Sequence, residues 1–218
     1  MGFGRSYGQE SRFLAKKNSG IFFCKIWEIL ERDSQTPTTA FVTDIGNDLA
    51  YEVPVERIVE WVESCLDRLD SVSARVVLSD LPMSVLRDVG ATRFRVFRTL
   101  LFPYCRLSWA EMLDRAEQLS ERLHQLAKTR NIPIFVGNSE WYGFDPIHPR
   151  SSYYPQQWQE LFALAGAEWS ENSTPESRRL LTWYLRNLRP DNWSFFSIPR
   201  HAQQPSGRLH DGTTISLF

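Results

Sequence analysis

An aspartate and a histidine stand three positions apart in Asp145-Pro146-Ile147-His148, with Pro149 directly after them. An imidazole exchanges a proton near neutral pH, and a carboxylate beside it fixes its tautomer and stabilises its cation. From one loop, Asp145 can hold one ring nitrogen of His148 and turn the other toward a hydroxyl. Pro146 and Pro149 restrict that loop and lower the entropy lost in holding the pair. The plainer reading is an aspartate that turns the chain ahead of a proline. Much earlier comes Thr43-Asp44-Ile45-Gly46-Asn47-Asp48. The side-chain amide of Asn47 is suited to donate to a developing oxyanion, although Asn-Asp after Gly is also ordinary turn chemistry.

Such residues act together only if the fold carries them to one edge. The apolar runs at 39–43, 74–78 and 132–136 read as strands. Helical spacing marks 21–30, 54–69, 156–165 and 175–188, with a short helix or turn at 82–89. At 108–129 an apolar stripe follows the capping-box sequence Ser108-Trp109-Ala110-Glu111, so a helix is expected there. Residues 94–105 mix aromatics with arginines, and their conformation stays open. The first twenty residues read as a glycine-rich loop, and 190–218 as an extended or partly disordered tail rich in proline and glycine. Strands alternating with helices imply an α/β fold with a parallel sheet and helices on both faces. Reactive groups on such sheets gather at the carboxyl ends of strands. Asn47 follows the first of these strands, and Asp145 and His148 follow the third.

The chain has 218 residues, 42% of them hydrophobic and 23% charged, with a net charge of −1. That is the balance of a globular protein with no global field for nucleic acid or an anionic membrane, so neither partner is expected. Arg93, Arg95 and Arg98, interleaved with Phe94 and Phe97, read as a solvated face. Cys24, Cys65 and Cys105 show no metal-ligand spacing and read as reduced, mostly buried thiols. His124, His201 and His210 lack metal spacing as well, and His124 reads as solvated on a polar helix face. No metal or cofactor is expected. No apolar run is long enough to span a bilayer. The N-terminus is neither a signal nor a transit peptide, and cytoplasmic localisation is the expectation. Met1-Gly2 followed by Ser6 fits a loose myristoylation pattern that is common by chance.

The Asp145 to His148 block and the Gly46-Asn47-Asp48 turn together resemble the late Asp-x-x-His block and the middle Gly-x-Asn-Asp block of the SGNH (GDSL-type) hydrolases. The resemblance covers about residues 1–165, within a domain over 1–170 that a helix at 171–189 and the tail follow. It implies a three-layer α/β/α sandwich with a mostly parallel, flavodoxin-like sheet. It also implies hydrolysis of a small-molecule carboxylic ester by a Ser-His-Asp arrangement. His148 would be the base, Asp145 its orienting partner and Asn47 an oxyanion donor, with Asp48 bracing the turn.

Two departures stand out. Ile45 occupies the position of the family glycine. The family's Gly-Asp-Ser nucleophile block is nowhere in the chain. Gly4-Arg5-Ser6-Tyr7-Gly8 is either a degenerate nucleophile block, with Ser6 reacting, or the family's second block, with Gly4 or Gly8 giving an amide to the oxyanion. Ser6 precedes Asn47 by only 41 positions, and no strand is expected before it. Spacing therefore favours the second choice, with the serine upstream of Met1 or lost. A catalytically inactive SGNH-like binding or structural protein is the rival class. Oligomeric state and substrate identity are not legible.

Overall fold

The computed structural model describes residues 1–2, 6–13, 16–167, 179–196 and 198–218. In chain order the strands and helices are β1 (Ser11–Phe13), β2 (Lys16–Asn18), α1 (Ile26–Arg32), β3 (Thr39–Val42), α2 (Asn47–Ala50), α3 (Val55–Ser71), β4 (Arg75–Ser79), α4 (Met83–Leu86), α5 (Ala91–Leu101), α6 (Trp109–Arg130), β5 (Ile134–Phe135), α7 (Tyr154–Leu164), α8 (Arg179–Arg186), β6 (Asn192–Phe195), β7 (Ile198–His201), β8 (Gly207–Arg208) and β9 (Thr214–Ile215). They form two compact units. One is the continuous stretch Gln35–Thr174, and the other joins Met1–Ser34 to Pro175–Phe218.

The continuous unit is α/β. Its sheet runs β3-β4-β5 with both pairings parallel. In register, Phe41 lies beside Val77 and Leu78 beside Ile134. Successive residues of a strand point to opposite faces. Val77 and Phe135 thus share one face, where they cluster with Trp141, Leu161 and Ala165 and receive Phe41 at the margin. Phe41 meets Trp158 and Phe162 of α7 edge-on, at 5.5 and 5.0 Å between ring centroids. Helix α3 begins after Pro54, whose fixed φ suits a helix start. It buries Ile58, Val62, Cys65, Leu66 and Leu69 along one stripe and packs on β4 and α6. Ser108 accepts from the Glu111 amide while the Glu111 carboxylate accepts from the Ser108 amide, which completes the capping box of α6. The arginine-rich segment whose conformation stayed open in sequence is the helix α5.

The discontinuous unit holds an antiparallel sheet in the order β1-β2-β6-β7 and the two-stranded pair β8-β9. The glycine-rich start therefore contains two strands rather than loop alone. The stretch 190–218, expected to be extended or partly disordered, contains four. Pro199 sits in β7 at the sheet edge, where a missing amide costs no ladder bond. The two chain ends are tied within this unit. The Met1 ammonium donates to the Ser216 carbonyl at 2.7 Å, and the Phe218 amide donates to the Met1 carbonyl at 2.8 Å. Partial burial lowers the pKa of that ammonium. Cys65 and Cys105 are buried and Cys24 half-buried, and none of the three is in a disulfide. No helix among the described residues is long and apolar enough to cross a membrane.

Candidate active site

The loop that leaves β5 is closed at its neck. Asn138 caps a 3-10 turn at Ser139–Trp141 by accepting from the Glu140 amide at 3.0 Å. The Arg150 amide donates to the Trp141 carbonyl at 2.8 Å, and Tyr142 bridges to Pro149. The Arg150 side chain also donates to the Glu140 carbonyl and lies over the Tyr153 ring. Within that neck, Asp145 Oδ1 accepts from the amides of Ile147 at 2.8 Å and His148 at 3.2 Å. Its Oδ2 lies 2.9 Å from His148 Nδ1. One carboxylate therefore shapes the turn and orients the ring through Nδ1 at once.

Partial burial alone would raise the Asp145 pKa. The hydrogen bond to the His148 ring and the two amides outweigh it, and the carboxyl sits below its ordinary value. Asp145 is thus a carboxylate across the working range of an imidazole base.

The same loop is fastened from outside. Arg93 on α5 donates from Nε to the Phe144 carbonyl at 2.9 Å, and from Nη2 to the carbonyls of Gly143 and Phe144. Its guanidinium also stacks over the Phe144 ring, 5.3 Å from the centroid. Sequence reasoning assigned this arginine to a solvated face. Nothing in the local pattern marks a contact spanning 51 positions.

The turn after β3 places Asn47. Asp44 adopts φ +59°, a conformation that aspartate tolerates better than most residues. The Asp44 carbonyl accepts from the Asn47 amide at 3.3 Å, and Asn47 opens α2. The left-handed residue is Asp44, so Ile45 needs no glycine-like backbone and is instead a core side chain, 2% exposed. Asp48 is wholly buried.

Asn47, Tyr142, Pro146 and His148 line one cavity of about 420 Å³ inside the continuous unit, along with Asp44, Ser79 and Asp80. The rest of its wall is largely apolar and comes mostly from α2 and from α4 to α7. Burial, and secondarily the Asp44 carboxylate, push the Tyr142 pKa up to about 12. Tyr142 therefore keeps its hydroxyl proton near neutral pH. Trp141 is buried and stacks between Phe135 and Tyr153, whereas Phe144 is exposed.

Asp80, at the carboxyl end of β4, accepts from the Leu81 amide, the Ser120 hydroxyl and His124 Nε2, the last at 2.9 Å. His124 is therefore partnered rather than merely solvated. The cluster holds α6 to the end of β4.

Ser6 belongs to the other unit. It is 1% exposed, its Oγ accepts from the Gln9 amide at 2.8 Å, and its carbonyl accepts from Ile21. Gly4 lies outside the described residues. Among the described residues no group of three or more His, Cys, Asp or Glu side chains could hold a metal ion. No protein-family model matches the chain, and no curated protein matches it.

Proposed function

We propose that this protein is a hydrolase of small-molecule carboxylic esters of the SGNH type. The observation that carries the reading is the Asp145-His148 pair, held at 2.9 Å, with His148 lining the same cavity as Asn47. In the proposed reaction a serine hydroxyl attacks the ester carbonyl while His148 Nε2 takes its proton. Asp145 stabilises the imidazolium that forms. The Asn47 amide donates to the oxyanion, where charge develops. Collapse of the tetrahedral intermediate expels the alcohol, which receives the proton from His148. Water, deprotonated by His148, then attacks the acyl-serine, and the acid leaves as the serine regains its proton. With this reading goes a three-layer, flavodoxin-like α/β/α arrangement. The sequential parallel order β3-β4-β5, and α7 over one sheet face, support it.

Ser6, the serine that the sequence resemblance offers, belongs to the other unit. Its burial and its acceptance from the Gln9 amide are also what a turn serine does. That observation favours a second reading, a binding protein that keeps the base and orienter without a nucleophile. Hydrolysis of short p-nitrophenyl esters, with peptide mapping after a serine-directed phosphonate, separates the two. Turnover with one modified serine supports the hydrolase and names the nucleophile. Full turnover by Ser6→Ala removes Ser6 from the mechanism. No turnover and no labelling would sink the enzyme reading for this chain.

A further inference from the structure

The cavity beside His148 is built from two unlike halves. Four of its polar residues, Asn47, Asp80, Tyr142 and His148, come from the segments that follow the three parallel strands. Much of its apolar wall comes from two helices. On α5 the lining residues are Phe94, Phe97, Arg98 and Leu101, and on α6 they are Trp109, Met112, Leu113 and Ala116. Each set has the spacing i, i+3, i+4, i+7, which is a single helix face. Arg98 brings one positive charge to this wall, and its guanidinium is turned to the Leu107 carbonyl, to which it donates at 2.8 Å, and to the Phe94 ring, 6.0 Å from the centroid.

Two such faces ordinarily interlock, since protein interiors leave few voids larger than a water molecule. Here they enclose part of a space of about 420 Å³. At roughly 30 Å³ for each water-sized or methylene-sized unit, that space would hold on the order of ten or more of them. An apolar chamber of this kind favours an apolar guest over ordered water.

We propose that the α5-α6 chamber binds a medium-length acyl chain of about eight to ten carbons, with its carboxyl carbon toward Asn47 and His148. The proposal rests on the ester-hydrolase reading for the identity of the reacting group, and it adds the substrate class. Specificity then comes from chain length. Each methylene that enters the chamber leaves water, and the gain per methylene is about fourfold in affinity. A chain longer than the chamber gains nothing further, because its end stays in solvent.

The test is calorimetric titration of the full chain with hexanoate, octanoate and decanoate below their micellar concentrations, alongside turnover of the matching p-nitrophenyl esters. Affinity should rise about threefold to fourfold per methylene up to the length that fills the chamber. Leu101→Trp and Met112→Trp fill the chamber from different helices, and either one that keeps the parent Tm should shift the plateau to shorter chains. An affinity independent of chain length, or a plateau unmoved by both substitutions in folded protein, would overturn the proposal. The two readings fail separately. A flat carboxylate series with turnover of short esters removes the chamber and leaves the hydrolase. A graded series with no turnover of any ester keeps the chamber as a ligand site and removes the hydrolase.

Discussion

Asp145 does two jobs with one carboxylate, and they are separable by substitution. Asp145→Asn keeps the shape and an oxygen able to accept the Ile147 and His148 amides. It removes the charge that stabilises an imidazolium and permits the wrong ring tautomer. Ester turnover should fall by about 10²- to 10⁴-fold with little change in fold. The lowered pKa also has a stability consequence. A carboxyl whose folded pKa lies below its unfolded value of about 3.9 stabilises the protein above that pH. The contribution is lost as pH falls through the folded value. The parent should therefore lose more Tm than Asp145→Asn between about pH 4 and pH 2, measured by calorimetry across that range. Equal slopes for the two proteins would mean that the carboxylate is not engaged as described. This pair was legible in sequence because it is local: three positions and two prolines suffice to define it. Its surroundings were not legible in the same way. Arg93 meets Phe144 across 51 positions, and His124 meets Asp80 across 44. Contacts of that range depend on how helices dock, and no spacing rule carries that information. The Gly46-Asn47 turn lies between these cases. Its hydrogen bonds are local, but the residue that bears the positive φ is Asp44, outside the Gly-Asn-Asp motif.

Helix α5 links the apolar chamber to the His148 loop, and Arg93 is the link. Its fork reaches two successive carbonyls, and its flat face covers the Phe144 ring. A lysine supplies one point charge and no second parallel donor. Arg93→Lys should therefore fail to restore what Arg93→Ala removes. A displacement of about 1 Å at a reacting group can cost on the order of 10²-fold. We expect a kcat loss of roughly 10- to 100-fold for both variants with smaller changes in KM, because the apolar chamber remains. Rescue of kcat by lysine would show that charge alone matters there. Among the helices, α6 was the most legible, because its capping box is a four-residue signal. Ser108→Ala should cost about 1 kcal/mol, read as a shift in denaturant midpoint. The strands near the C-terminus were the least legible. β6 and β7 are short, and Pro199 reads as a strand breaker until β7 is seen to be an edge. The pairing that makes a strand of them comes partly from β2, near the other end of the chain.

At the scale of the whole molecule, the chain order separates the two units. The unit that carries the candidate site is continuous, 35–174, whereas the other is assembled from both chain ends. In that second unit the last residues close the structure. Leu217 is 4% exposed, its carbonyl accepts from the Asp191 amide, and its own amide donates to Gln204 Oε1. Phe218 reaches back to Met1. Removing a buried leucine side chain leaves a cavity that small units close poorly, at a cost of about 2–5 kcal/mol. Strand β7 is exposed along its length, and a lone hairpin such as β8-β9 is marginal in water. Leu217→Ala should therefore speed amide exchange in β6 to β9. Exchange in β3, β4 and β5 should stay as in the parent, because their ladders lie wholly within the continuous unit. Hydrogen exchange resolved by peptide is the measurement. Uniform acceleration across all three sheets would show that the protein opens as one cooperative body, and the separation into units would then have no energetic meaning.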